Sequence, residues 1–241
     1  MAIFCKKVKN FLKVLLSAIY PNKCICCGKI INDGCYICDD CNELIERNNI
    51  DNICLNCGFQ EQDCVCRYNI YRFNSLICVF RNEGRARDAY YAYKFSKKQH
   101  YANFFAYEMC EAIQKVYSDI EFDIICAVPS FNKLKYNHSG YIAKLVSKKL
   151  NLPYGKHLLS CIKNGKMQHK STIKQRLRNV DGKYKSNCRV ENLNVLLVDD
   201  IKTTGATLDE CAKELLFAGA KSVYCVTALG SSNSQKQKIE K

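Results

Sequence analysis

Several things are scarce in this 241-residue sequence, and each scarcity excludes something. Long apolar runs are missing. The stretch VKNFLKVLLSAIYP offers only about seven consecutive apolar residues after Lys13, far short of the roughly 20 that span a bilayer. No membrane span and no secretory signal are therefore expected, and a reducing, cytoplasmic compartment is. The stretch fits a short amphipathic helix instead, with Phe11, Leu12, Leu15, Leu16 and Ile19 on one side. Histidine is scarce too. The four, at 100, 138, 157 and 169, have no metal-ligand spacing, so solvated surface is the expectation, with His138 and His169 the two that could approach a substrate. Carboxylates are few: 23 Asp and Glu face 37 Lys and Arg, for a formal charge of +14. Charge of that sign suits phosphate-bearing partners, nucleic acid or small anions, although a codon bias toward Lys and Asn produces the same excess.

Apolar residues are not scarce. They make up 48% of the chain, enough for a globular core, and the length fits one medium domain plus something small. Cysteine is abundant. Eleven of the 18 lie in residues 1–66. Four pairs stand there: Cys24/Cys27, Cys38/Cys41, Cys54/Cys57 and Cys64/Cys66. Two cysteines separated by two residues can bite one tetrahedral ion, and two such turns complete a four-cysteine site. Gly28 and Gly58 each follow a pair, where a glycine lets backbone amides turn toward the sulfurs. Two structural zinc ions are expected. Which pairs share an ion is not readable from spacing. The favoured arrangement is sequential, 24/27 with 38/41 and 54/57 with 64/66, and Cys26 and Cys35 could substitute. Each tetrathiolate site would carry about −2, taking the net charge to about +10. The later cysteines (78, 110, 126, 161, 188, 211, 225) read as small core residues.

After Cys66 the composition changes. SLICVFRN, DIICAVPS, NVLLVDD and SVYCVTALG read as strands. ARDAYYAYKF, HYANFFAYEMCEAIQKVYS, SGYIAKLVSKKLN and TLDECAKELLFAGA read as helices. Their alternation predicts an α/β fold, a parallel sheet with helices on both faces. The polar tail SSNSQKQKIEK reads as disordered.

One segment carries the chemistry. VLLVDD (195–200) ends a strand in Asp199 and Asp200, and Thr203, Thr204, Gly205, Ala206 and Thr207 open a helix. Ligands of open α/β sheets bind where strands end and helices begin. A helix N-terminus with free amides and threonine hydroxyls suits a phosphate. Two adjacent carboxylates repel unless something bridges them, and sugar hydroxyls with Mg2+ nearby could do so. The segment therefore suits a ribose carrying a 5′-phosphate.

The same residues resemble the motif of type I phosphoribosyltransferases that binds phosphoribosyl pyrophosphate (PRPP). That resemblance implies Asp199 and Asp200 on the ribose hydroxyls, and residues 203–207 on the 5′-phosphate. With the cysteine-rich head in front, the chain resembles the ComF family, named from bacterial competence. The resemblance runs over about residues 20–230. FRNEGRARDAYYAYKF supplies the family's Gly84, Lys94 and Phe95; DIICAVPS its Val128 and Pro129; QHKSTIKQRLRNV its Gln168, Thr172, Arg176, Asn179 and Val180. It implies a short N-terminal helix (1–22), a double zinc ribbon (23–67), a phosphoribosyltransferase domain (68–230) and a tail (231–241). It further implies Lys94 near the pyrophosphate, and Arg176, with Arg178, Lys170 and Lys174, in a loop that closes over the site. Mg2+ would accompany PRPP, and partners could include single-stranded DNA and competence proteins.

The sequence also departs from the family. Where the family has Arg-Gly-Phe-Asn-Gln, HSGYIA keeps only Gly140 and the aromatic Tyr141, and the family's Gly-Leu is Lys170-Ser171. These departures fall on the acceptor side. The expected function is phosphoribosyl transfer or recognition linked to DNA uptake. The competing expectation is a non-catalytic factor that binds single-stranded DNA and senses nucleotides at the PRPP site. A purine regulator is disfavoured, because no helix-turn-helix segment precedes residue 67.

Overall fold

A computed structural model describes residues 21–64, 66, 71–95, 99–130, 136–162 and 182–231. The expected N-terminal helix falls mostly, and the 232–241 stretch of the tail wholly, outside the described residues.

Four strands form one parallel sheet. They are β1 (Ser75–Arg81), β2 (Ile124–Ala127), β5 (Asn194–Lys202) and β6 (Ser222–Gly230), in spatial order β1-β6-β5-β2. Side chains alternate across a strand, so each strand feeds two cores. Ile77, Val79, Leu196, Val198, Val226 and Ala228 face one core; Leu76, Cys78, Val195, Leu197, Val223 and Cys225 face the other. Both sets are buried, which is why the strands read as continuous apolar runs rather than alternating ones.

Helices α2 (Gly84–Phe95), α3 (Tyr101–Val116) and α4 (His138–Leu150) cover the first core with Tyr90, Phe105, Met109, Ile142 and Val146. Helix α5 (Ala206–Phe217) covers the second with Leu208, Cys211, Ala212 and Leu215. The expected α/β architecture is the one observed. A short antiparallel pair, β3 (Leu159–Cys161) with β4 (Tyr184–Ser186), has no counterpart in the sequence reading. Three-residue strands carry too little periodicity to be read. Of the later cysteines, 78, 110, 126, 211 and 225 lie in the core as expected, whereas Cys161 is half-buried and Cys188 exposed. Those two sit on and beside the short strand pair, where little core exists to receive them.

The cysteine-rich head, with α1 (Asp39–Leu44), lies along the free edge of β1. The Asn48 amide donates to the Val79 carbonyl (2.9 Å), and the Arg81 amide donates to the Glu46 carbonyl (2.8 Å). The buried Asn48 side chain donates to the Cys78 carbonyl (2.7 Å). An open strand edge invites wrong pairing, and here the head closes it. Arg47 adds a two-pronged pair with Glu108 on α3, at 2.8 and 2.6 Å. At the opposite edge, Tyr154 bridges Ile125 of β2.

Candidate functional site

Asp199 and Asp200 lie within β5 rather than at its end, since the strand continues to Lys202. The expected mutual repulsion awaiting a ligand is not the whole account, because the two carboxylates already have separate protein partners. Asp199 is buried and accepts the Ser139 hydroxyl from the first turn of α4 (2.9 Å) and the Asp200 amide (2.8 Å). Asp200 accepts the Tyr90 hydroxyl and lies 3.4 Å from the Lys94 ammonium, both on α2. The Lys94 ammonium also sits over the Tyr90 ring, 5.5 Å from its centroid.

These partners split the pair electrostatically. Burial, reinforced by the neighbouring Asp200 charge, pushes the Asp199 carboxyl well above the usual carboxylate range. Burial pushes Asp200 the same way, but Lys94 and the Tyr90 hydroxyl outweigh it and hold Asp200 low. Burial and the Asp200 charge raise the Tyr90 phenol, so Tyr90 stays a donor. Burial, with Lys94 adding to it, lowers His138, which therefore stands neutral at pH 7.

Thr203–Thr207 follow directly. Gly205 has φ of 81° and caps the N-terminus of α5. A side chain there is strained by that φ, and its Cβ would meet the Tyr71 ring at 3.0 Å. The Tyr71 hydroxyl donates to the Thr204 carbonyl (2.9 Å), and Arg72 pairs with Asp209 in the first turn of α5 (2.6 Å). Thr203 is exposed, and Thr204 and Thr207 are half-buried, so the loop faces solvent at a helix N-terminus. Such an arrangement receives an anion.

The eight paired cysteines form two groups. The sulfurs of Cys24, Cys27, Cys38 and Cys41 lie within 4.8 Å of one another, as do those of Cys54, Cys57, Cys64 and Cys66. Four sulfurs 2.3 Å from one tetrahedral zinc would be about 3.8 Å apart. Cys27 and Cys38 are 3.7 Å apart, Cys57 and Cys64 3.6 Å, and Cys54 and Cys66 3.4 Å. Both groups therefore could hold zinc. Burial raises the Cys24 thiol, but the backbone amides of Cys27, Cys38 and Cys26 outweigh it and bring it down to about 6. A thiol so lowered gives up its proton readily to a metal. Cys26 is pushed up to about 12 by burial and the Cys24 charge, and Cys35 is exposed. Neither belongs to a group.

No family model matches the chain. Among curated proteins it is similar to the competence protein ComFC of Bacillus subtilis, 27% identical over 164 residues, which is 68% of this chain and 63% of that protein. It is also similar to the DNA utilization protein YhgH of Salmonella typhi, 27% identical over 105 residues, 42% of this chain and 46% of that one. The chain is thus similar to a competence protein of the ComF type. Its matches span about half to three-fifths of the length of these curated relatives. Among solved structures, a purine phosphoribosyltransferase from Pyrococcus horikoshii aligns over 54% of this chain and 81% of its own, with 16% identity and a TM-score of 0.35. A hypoxanthine phosphoribosyltransferase from Staphylococcus aureus aligns over 54% and 62%, with 16% identity and a TM-score of 0.36.

In this chain the fold gathers Lys94, Asp199, Asp200 and the 203–207 loop at one end of the sheet. Arg176 lies outside the described residues, as do Gln168, His169, Lys170, Ser171, Thr172, Lys174, Arg178, Asn179 and Val180. The sequence reading missed Tyr90, Ser139 and Tyr71. Tyr90 stands one helical turn before Lys94 on the same face, a spacing that was open to reading. Ser139 lies in the first turn of the helix that follows β2, at the end of the sheet where strands give way to helices, a weaker signal. Tyr71 reaches Thr204 across 133 positions of sequence, which no local pattern encodes.

Proposed function

We propose that this protein binds PRPP with Mg2+ at the carboxylate pair and the 203–207 loop, and recognises or transfers its phosphoribosyl group in the handling of imported DNA. One observation carries the reading: two separately anchored carboxylates, Asp199 buried and Asp200 half-buried, lie on the strand that runs directly into a helix N-terminus suited to an anion. In it, Asp199 and Asp200 accept the ribose hydroxyls in place of Ser139 and Tyr90. The amides of 204–207 and the threonine hydroxyls hold the 5′-phosphate. Lys94 swings from Asp200 toward the pyrophosphate, with Arg176 as a second cation for it. Mg2+ supplies charge neutralisation at the departing pyrophosphate. The link to DNA uptake follows the names of the relatives, competence protein and DNA utilization protein. Segment 23–67 serves as a zinc-stabilised brace and 68–230 as the ligand-binding domain, in the cytoplasm. No helix of the described residues is long and apolar enough to cross a membrane.

A non-catalytic reading has one observation in its favour. Tyr91 and Phe95 stack in parallel on α2 (5.6 Å), and Phe95 is 71% exposed beside Lys94. Exposed aromatics beside cations suit single-stranded DNA.

Titration calorimetry of the zinc-loaded protein with PRPP, with and without Mg2+, tests the main reading. Mg2+-dependent binding that Asp199→Ala/Asp200→Ala abolishes supports it. A folded wild type that binds no PRPP but binds single-stranded DNA with steep salt dependence refutes it in favour of the second.

A further inference from the structure

Lys202 closes β5, one residue past the carboxylate pair and its neighbour Ile201, and one residue before the 203–207 loop. It is only 6% exposed. Among the described residues it makes no ion pair with a carboxylate. Its ammonium donates to the Cys57 carbonyl (3.0 Å) and sits 4.3 Å from the centroid of the buried Phe59 ring. A buried cation served by one carbonyl and one aromatic face is costly unless a negative charge stands close. Cys57 belongs to the second tetrad, and four thiolates around one divalent zinc carry about −2. A loaded second tetrad would supply that charge beside Lys202.

The same tetrad braces the neighbouring backbone. The Cys54 amide donates to the Phe59 carbonyl (2.7 Å), closing the turn that presents the Cys57 carbonyl to Lys202. Five residues past Cys66, the Tyr71 hydroxyl holds the Thr204 carbonyl (2.9 Å), and the Arg72 amide and guanidinium both hold the Asp209 carboxylate, each at 2.6 Å. The 203–207 loop is therefore gripped at three points: Lys202 just before it, Tyr71 on it at Thr204, and Arg72 just after it at Asp209. All three grips come from the second tetrad or the chain leaving it. The first tetrad has no such contact with the loop among the described residues.

We infer that Lys202 is a positioning residue that couples metal at the second cysteine tetrad to the phosphate loop. The inference rests on reading 203–207 as the phosphate loop and the tetrad as a zinc site. When the tetrad holds its ion, its charge keeps Lys202 seated and the loop in place. When the ion leaves, the turn at Cys54–Phe59 loosens, Lys202 loses its counter-charge and the loop opens. Coupling of this kind is reciprocal, so occupancy of the loop also tightens the metal.

Two measurements on the full-length, zinc-loaded protein test it. In chelator competition, Lys202→Met weakens one of the two zinc ions about tenfold and leaves the other unchanged, and Lys202→Arg restores it. In hydrogen exchange, Cys64→Ser, which empties the second tetrad, speeds exchange of the amides of 203–209 well beyond the effect of Cys27→Ser, which empties the first. The exchange arm stands by itself if Lys202→Met does not fold. Equal zinc affinity in wild type and Lys202→Met, or unchanged exchange at 203–209 in Cys64→Ser, overturns the coupling. Intact coupling in a protein that binds no PRPP in either metal state refutes the PRPP reading and leaves the coupling standing.

Discussion

The two cysteine tetrads have the same ligand chemistry and different neighbours. Cys24, Cys38 and Cys41 are buried in a small cluster of their own, with Ile31 and Ile37 packed against it. The second tetrad has no cluster of its own. Its turn rests on the sheet, where Gly58 lies so close to Cys78 that a Cβ would come within 2.6 Å of its sulfur. The first tetrad therefore organises α1 and the Glu46–Asn48 segment that closes the β1 edge, while the turn of the second abuts Leu76 and Cys78 within β1 and the last residues of β5 and β6. A four-thiolate motif fixes only its own local turn, and what it governs depends on what lies against that turn.

Removing both ions tests the comparison most severely. With zinc in both tetrads, as proposed, a segment this small would owe its fold to its metal. Exhaustive chelation should detach residues 21–66, expose the amide of Arg81 to fast hydrogen exchange, and lower Tm by more than about 10 °C. If the Arg81 amide stays protected, the head folds without metal and the two tetrads differ in nothing that matters to the sheet. Next in size is the Arg47–Glu108 pair, which anchors the first half of the head to α3. Arg47→Met should cost about 2 kcal/mol in urea unfolding, since it strands a mostly buried carboxylate. It should leave PRPP affinity nearly unchanged, because the partners of Arg47 are Glu108 and Asn42 and not the 203–207 loop.

Asp199→Asn sharpens the contrast between structural and ligand-binding residues. Its folded carboxyl is raised, so the ionised form destabilises the protein. Stability is full below the ordinary carboxylate range and is lost as pH rises through the raised value. Asparagine keeps an oxygen for Ser139 and removes that loss. The variant should gain about 1 kcal/mol near neutral pH, lose the downward slope of Tm with rising pH, and lose PRPP binding. A variant less stable than wild type at pH 7 would sink this account. The smallest effect belongs to the Lys29–Asp40 bridge beside the first tetrad, where both side chains are well exposed. Lys29→Ala should leave Tm within measurement error, because water and salt screen such pairs. A clear drop would mean the first tetrad depends on surface charge.

Much of the site was legible in the sequence because its parts are contiguous. Asp199, Asp200 and Thr203–Thr207 stand on one strand–loop–helix passage, so apolar strand, acid pair and glycine turn appear together in 13 residues. The cysteine pairs were legible for the same reason, since two residues of spacing fix a bite on one ion. The sheet's strands were legible because buried parallel strands are unbroken apolar runs. The short β3–β4 pair was not legible, and neither were Tyr90 and Ser139 as the carboxylates' own partners.

The sequence by itself determined the α/β alternation, the two sets of metal-type cysteines and the passage from acid pair to threonine-glycine loop, because each depends on spacing along the chain. Only the tertiary structure decided that the head closes the β1 edge and that Tyr90 and Lys94 meet Asp200. Only it decided that Lys202 seats against a tetrad ligand 145 positions away. Those pairings follow from strand order and helix packing, which bring distant residues to one end of one sheet, and no period or spacing in the chain records that meeting.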